Sequence, residues 1–172
     1  MRVPALLVSL CLAAASLAAC AYPTTVLVVR HAERDTSHPG DRDPPLTLDG
    51  VERARDLATI AGAAHVTAIY VTQFGRTRET AQPSADLLHL TPVVFPVGED
   101  EMRHAEAVVA DILTRHSGEA VLVVGHSNTV PLIIQALGCA KPTIGDDQFD
   151  RLFEVTRRKD GTCHIEERHY GQ

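Results

Sequence analysis

One phrase occurs twice in this chain and constrains its fold more than any other feature. Four apolar residues run into a histidine in VLVVRH (residues 26–31) and again in VLVVGH (residues 121–126). Such runs predict strands that are buried on both faces of a parallel sheet. Ligands of open α/β sheets bind beyond the carboxyl ends of these strands. We therefore expect His31 and His126 in one cleft at that edge.

Strand and helix patterns alternate along the rest of the chain. Strands are predicted at residues 26–29, 66–71, 91–95 and 120–124, with helices after Thr47, after the segment 72–80, from Asp100 or Glu101, and from about Thr129 to Leu137. Pro83 is expected in the first turn of its helix, where proline is tolerated. Asp160-Gly161, between residues 151–156 and 163–168, predicts a hairpin. This order predicts one three-layer α/β/α sandwich with a mainly parallel central sheet and a C-terminal β-hairpin.

The first twenty residues have the pattern of an export signal. Arg2 is followed by an almost wholly apolar stretch that is too short to span a bilayer comfortably, and the stretch ends in LAAC at residues 17–20. This ending resembles a bacterial lipobox, in which Cys20 becomes the lipidated first residue. The alternative is an ordinary signal peptide, cut near Ala19 or Ala21. Residues 21–172 are then predicted to form a single domain on the periplasmic side of the envelope, held at the outer membrane by the lipid alone.

The charge and the cysteine content limit the kinds of ligand and cross-link that this chain can have. The formal net charge is −6, and it becomes −7 without Arg2, the one charged residue of the leader. This balance argues against nucleic acid, so any phosphate site must be a local positive pocket. Cys139 and Cys163 remain after the leader, either as one disulfide or as two separate thiols. No spacing typical of metal ligands is present, and no metal or other cofactor is predicted.

Four residues at predicted strand ends suit phosphoryl chemistry. Arg30 and Arg76 can hold a phosphoryl group by charge-assisted, often bidentate, hydrogen bonds. A neutral imidazole, at His31, can attack phosphorus, and a second one, at His126, can stabilise charge on the transferring oxygens. Because the arginines supply the positive charge, this set requires no metal ion.

At these residues the sequence resembles the histidine phosphatase superfamily, which includes the cofactor-dependent phosphoglycerate mutases. The matching pieces are VRHAE (29–33), PLT (45–47) with Gly50, residues 72–80, and GHSN (125–128), in the family's order. The resemblance implies that His31 becomes phosphorylated and that Arg30, Arg76 and His126 line the phosphate pocket. It favours Arg76 over Arg78 as the second arginine, because Arg76 lies four residues before Thr80.

The general acid of the larger family members has no clean match here. Glu99, Asp100 and Glu101 lie in the corresponding region, and any of them could protonate a leaving group. Alternatively, they only charge the start of a helix, where acids are favourable. Ser127 and Asn128 are expected to add hydrogen bonds near the pocket.

These observations predict a metal-independent phosphatase with a phosphohistidine intermediate, acting on a small phosphomonoester or phosphoramidate in the cell envelope. One alternative is a non-catalytic envelope module that binds a phosphorylated ligand. A serine hydrolase is a weaker alternative, because Thr129 stands where the nucleophile motif G-x-S-x-G requires glycine. That alternative also gives Arg30 and Arg76 no function.

Overall fold

The computed structural model of the protein describes residues 22–171, so the predicted leader, the lipobox and Cys20 lie outside the described residues. Ten elements follow one another: β1 (Thr24–Arg30), α1 (Leu48–Ala63), β2 (Ala68–Val71), α2 (Gly75–Leu88), β3 (Val93–Val94), α3 (Glu101–Arg115), β4 (Ala120–Gly125), α4 (Thr129–Ala136), β5 (Arg151–Arg157) and β6 (Cys163–His169). No helix in this described range is long and apolar enough to cross a membrane.

The six strands form one sheet in the order β3-β2-β4-β1-β5-β6. The four strands from β3 to β1 are parallel to one another. The hairpin β5–β6 adds two antiparallel strands at the side of β1. The predicted α/β class, the mainly parallel sheet and the C-terminal hairpin are confirmed.

Strand β1 shows why its sequence is apolar throughout. Val26 and Val28 belong to a core cluster with residues of α3 and α4. Leu27 and Val29 belong to a second cluster with residues of α1 and α2. Successive side chains of a strand point to opposite faces, so the sheet carries one helix pair on each face. All four side chains are fully buried, and β1 is a central strand of a three-layer sandwich.

Two strands are shorter than the sequence patterns predict. Strand β2 begins at Ala68 because the preceding residues end α1, where the Val66 N–H donates to the Ala61 carbonyl over 3.1 Å. Strand β3 contains only Val93 and Val94, whose side chains are exposed at the edge of the sheet. The β-branched residues here fit the pattern of a strand, but only Val93 and Val94 pair with β2.

The prediction for Pro83 was wrong. It lies in the interior of α2, which begins at Gly75, well beyond the first turn. Proline has no N–H to donate to the carbonyl four residues earlier, at Glu79. The helix continues because its buried face, which includes Ala81 and Ala85, packs into the core with α1. Packing outweighs local propensity here.

Cys139 and Cys163 form a disulfide, with their Cα atoms 5.3 Å apart. The bond ties the segment that follows α4 to the first residue of β6. Of the two states that the sequence left open, the structure has the bridge. The tethered segment leads into residues 145–149, which contact Arg30 at the carboxyl end of β1.

Candidate active site

The two repeated phrases bring their histidines together as predicted. Strands β1 and β4 are parallel neighbours, and Arg30 pairs with Gly125 in register. The residue that follows each strand is therefore delivered to the same edge. The rings of His31 and His126 lie 5.4 Å apart between centroids in an edge-to-face arrangement. Both side chains are buried, with 3% and 8% of their surface exposed.

His31 is held in one tautomer by its own backbone. Its Nδ1 lies 2.8 Å from the carbonyl oxygen of Ala32. A carbonyl only accepts hydrogen bonds, so Nδ1 carries the proton and donates it. In the neutral ring the lone pair is then on Nε2. His31 thus has an unprotonated nitrogen suited to attack on an electrophile.

His126 is held by two side chains from the neighbouring strand end. Its Nε2 lies 3.0 Å from Oγ1 of Thr72, and its Nδ1 lies 3.5 Å from Nη2 of Arg76. A guanidinium only donates, so Nδ1 accepts and Nε2–H donates to Thr72. Thr72 in turn lies 3.0 Å from the hydroxyl of Thr77. The His126 ring therefore faces a positive group rather than a backbone carbonyl.

Arg30 is fixed against the segment after α4. Its Nη1 donates to the carbonyls of Gly145 and Asp146 over 3.0 and 2.8 Å. Its guanidinium carbon lies 4.0 Å from the centre of the Phe149 ring, within cation–π range. Nε is buried and makes no hydrogen bond with the described residues. These contacts hold a positive charge next to His31.

Arg76 lies in the first turn of α2 and is fixed on the other side of the site. Its Nη1 donates to Oδ1 of Asp43 over 3.2 Å, and its guanidinium carbon lies 4.3 Å from the centre of the Phe74 ring. Together with the contact to His126, this places its charge in the cleft. Arg78 is exposed on the same helix, so the two arginines of this motif have different surroundings.

Burial is the main cause of the low basicity of both histidines. It lowers the pKa of His31 to about 4, with further lowering by Arg30 and Arg76 that the Ala32 hydrogen bond partly offsets. It lowers the pKa of His126 to about 3, and the charge of Arg76 adds to that effect. Both rings are therefore neutral at pH 7, while Arg30 and Arg76 remain charged.

These side chains line an open cavity of about 1060 Å³ at the carboxyl edge of the sheet. Its lining residues are Arg30, His31, Glu33, Arg34, Thr36, Pro39, Asp41, Arg42, Phe74, Arg76, Val97, Gly98, His126, Ser127, Asn128, Asp146 and Phe149. Four arginines and three carboxylates line this cavity, so it has a small local excess of positive charge in a chain with net charge −6, as a phosphate site requires.

Two motif residues hold the segment that carries His31. The Thr80 hydroxyl accepts the Ala32 N–H over 2.9 Å and donates to the Arg76 carbonyl over 2.7 Å, so it connects β1 to α2. Gly50 packs directly on the next residue of that segment, because a Cβ atom at this position would lie 2.3 Å from the Glu33 carbonyl oxygen. Both residues therefore affect the site by fixing the backbone of the segment that follows His31.

The three acids considered as a proton donor do not line the cavity. Asp100 caps α3, its Oδ1 accepting the Arg103 N–H over 2.9 Å. Glu101, the first residue of α3, accepts a hydrogen bond from the side chain of Asn128. Asn128 and its neighbour Ser127 do line the cavity.

Several residues that line or support the site were not found by sequence reasoning. Phe149 is far from every motif in the sequence and reaches Arg30 only through the fold. Phe74, Thr72 and Thr77 lie inside a recognised motif, but their contacts with Arg76 and His126 depend on the strand-to-helix turn. Arg34 had no motif role. Its charge, directly after the matched segment VRHAE, was the available signal.

Among the described residues 22–171, no group of three or more histidine, cysteine, aspartate or glutamate side chains is arranged to hold a metal ion.

Residues 26–97 match the family model of the histidine phosphatase superfamily (branch 1). No curated protein sequence matches the chain. The fold is similar to that of the protein histidine phosphatase SixA complexed with tungstate (20% identity, TM-score 0.67, 84% of this chain and 96% of that one). It is also similar to YhfR from Bacillus stearothermophilus (21%, 0.63, 83% and 95%). A third match is a phosphoserine phosphatase mutant from Entamoeba histolytica in complex with phosphoserine (14%, 0.62, 87% and 97%).

Proposed function

We propose that this chain is a member of branch 1 of the histidine phosphatase superfamily, whose family model matches residues 26–97. We also propose that it is a metal-independent phosphatase that forms a phosphohistidine at His31. The observation that carries the proposal is the hydrogen bond from Nδ1 of His31 to the Ala32 carbonyl. It leaves the lone pair of the neutral ring on Nε2, in a cavity that also holds two fixed guanidinium groups.

The reaction has two steps on this site. Nε2 of His31 forms a bond to phosphorus while the bond from phosphorus to the leaving oxygen or nitrogen breaks, and the leaving group takes the electron pair. Water then attacks the phosphohistidine, which releases inorganic phosphate and restores neutral His31. Arg30 and Arg76 bind the phosphoryl oxygens in both steps. His126 supports their charge, and a bound phosphoryl dianion favours the protonated form of its ring.

The surroundings of the acids favour a substrate whose leaving group departs easily. Glu33, Asp41 and Asp146 are the carboxylic acids among the described lining residues. Although burial raises the pKa of Glu33, hydrogen bonds from Arg53 outweigh that effect and hold its pKa below the usual range. Glu33 is thus ionised at pH 7 and cannot donate a proton. Phosphoramidates and activated esters need such a donor least, and one fold neighbour is described as a protein histidine phosphatase.

We place the enzyme on the periplasmic side of the cell envelope. The support is the leader-like composition of residues 1–20, with Cys20 at the lipobox position. The Cys139–Cys163 disulfide agrees with an oxidising compartment. In that setting the lipid on Cys20 is the attachment to the membrane.

Turnover of p-nitrophenyl phosphate in the presence of EDTA tests the proposal, with His31→Asn as the comparison. We expect turnover by the parent protein and none above background by the variant. Unfolding curves of both proteins serve as the control for folding. Equal turnover by the variant would contradict the proposal.

The non-catalytic binding module stays the second candidate, because Glu33, the lining acid two residues after His31, is held ionised by Arg53 and cannot donate a proton. Incubation with phosphoramidate, which has a good leaving group, separates the two. An enzyme releases inorganic phosphate from it through His31, whereas a binding module in its folded state does not.

A further inference from the structure

The guanidinium of Arg30 is positioned by residues that are distant from it in the sequence. Its Nη1 donates to the carbonyls of Gly145 and Asp146, 3.0 and 2.8 Å away. The ring of Phe149 lies 4.0 Å from the guanidinium carbon, and its centre is 5.9 Å from the centre of the His31 ring. All three of these partners belong to the connection between α4 and β5. The place of the Arg30 charge in the site therefore depends on where that connection lies.

This connection has no regular secondary structure to hold it. Residues 137–150, the connecting segment, lead from α4 to β5 without forming a helix or a strand. Ile144 packs against the core, and Oε1 of Gln148 accepts the Gly145 N–H over 2.8 Å within the segment itself. A long irregular segment keeps one conformation only when other elements anchor it.

The connecting segment is anchored to β6 near both of its ends. Near its start, the disulfide joins Cys139 to Cys163, the first residue of β6. At its end, Arg151 forms an ion pair with Glu167 of β6 at 2.6 Å and donates to the carbonyl of Thr143. Strand β6 is the edge strand of the sheet, and its pairing with β5 fixes the positions of both anchors. Of the two anchors, the disulfide is the one that a reductant removes.

We propose that the connecting segment is a positioning element for Arg30 and that reduction of the Cys139–Cys163 disulfide weakens phosphoryl binding at the site. The inference rests on the proposed function for the role of Arg30 as a phosphoryl ligand. A dithiol that reduces the bond becomes a cyclic disulfide, and two electrons and two protons pass to the protein as two cysteine thiols form. The freed segment then samples more conformations. The ligand itself must order the guanidinium, which lowers its affinity.

Calorimetric titration with methylphosphonate, a phosphate analogue that is not hydrolysed, tests the proposal without requiring catalysis. The proteins compared are the oxidised parent, the parent reduced with dithiothreitol, and Cys139→Ser/Cys163→Ser. We expect the last two to bind about tenfold more weakly than the oxidised parent, as loss of one charge-assisted contact provides. Val66→Ala is the control for reduced stability, because Val66 is buried before the amino end of β2, at the edge of the sheet opposite the cavity. This variant should keep the affinity of the oxidised parent.

A double-mutant cycle shows whether the disulfide acts through Arg30. In Arg30→Gln, reduction should change the affinity by less than about twofold, because the group that the segment positions is already absent. Equal affinity of the oxidised and reduced parent, or a tenfold loss on reduction that persists in Arg30→Gln, would overturn the positioning role. A tenfold loss in Val66→Ala would overturn it as well, since reduced stability alone would then explain the effect. Binding that depends on the disulfide, without turnover of any substrate, would instead overturn only the proposed function.

Discussion

The two histidine-bearing strand ends have nearly the same sequence but different hydrogen bonds. His31 donates from Nδ1 to the carbonyl of the next residue, Ala32, and so the lone pair of its neutral ring is on Nε2. His126 uses both nitrogens on side chains, with Thr72 at Nε2 and Arg76 at Nδ1. The difference arises from the paths of the chain after the two strands, since β1 continues into a loop and β4 enters α4 after three residues.

In the proposed reaction, this difference in hydrogen bonding gives the two rings different tasks. A nucleophile needs a lone pair that points into the cavity, and His31 has one. A group that stabilises charge needs a fixed ring beside other positive groups, and His126 has that arrangement next to Arg76. In the proposed reaction, the two similar sequence phrases therefore provide one attacking and one supporting imidazole.

The largest expected effects are the losses of kcat/KM when each histidine is replaced, and they differ between the two rings. His31→Asn should lower kcat/KM by at least about 10⁴-fold, because the covalent route is removed. His126→Asn should lower it by about 10²–10³-fold, as loss of one charge-stabilising group does. Steady-state kinetics with p-nitrophenyl phosphate measures both. A larger loss in His126→Asn than in His31→Asn would reverse the assignment.

The two arginines of α2 give the next largest contrast. Arg76→Ala should lower kcat/KM by about 10²–10³-fold, because a phosphate contact and a neighbour of His126 are lost together. Arg78→Ala should stay within about twofold of the parent, as an exposed residue outside the cavity. The opposite ranking would show that the motif has a different register in the working enzyme.

Both rings should also make stability depend on pH. The folded pKa values are about 4 for His31 and about 3 for His126, below the usual 6.5. The unfolded chain therefore binds more protons between pH 6.5 and 4, and the free energy of unfolding falls as the pH falls through this range. The loss should be on the order of 2–3 kcal/mol for each ring at pH 4.

Urea unfolding at pH 7 and pH 4 measures this loss. The double variant His31→Asn/His126→Asn is the control, since it keeps every carboxylate that also titrates near pH 4. We expect a smaller difference between the two pH values in the double variant. The same difference in both proteins would mean that the rings titrate normally.

The smallest expected effect is the loss of activity when Thr72, the hydrogen-bond partner of His126, is replaced. Thr72→Val removes the oxygen that accepts the His126 Nε2–H and should lower kcat/KM about tenfold, the value of one hydrogen bond. Thr72→Ser keeps the hydroxyl and should restore most of the activity. If valine and serine behave alike, the hydroxyl does not position His126.

The fold was largely predictable because its signals are local. Apolar runs such as residues 26–29 specify buried strands, and the Thr47 cap of α1 and the Asp160-Gly161 turn mark element boundaries that the structure has. Pro83 was placed wrongly because the packing of α2 on α1, which is not local, carries the helix through it.

The site was predictable only for the residues that lie at strand ends or in a recognised motif. Arg30, His31 and His126 follow from the parallel pairing of β1 with β4, and Arg76 from its motif. The Phe149 contact with Arg30 spans 119 positions of sequence and depends on the path of the segment that the disulfide tethers. The choice of tautomer at each ring depends on atoms a few ångströms apart, which no sequence pattern specifies.

Trapping the phosphoenzyme tests the role of His31 most directly. The protein is incubated briefly with phosphoramidate, denatured in alkali, where phosphohistidine survives, and digested for mass spectrometry. We expect one added phosphoryl group on the peptide that contains His31, and no label in His31→Asn. A phosphoryl group on His126, or a label that persists in His31→Asn, would contradict the assignment of His31 as the nucleophile.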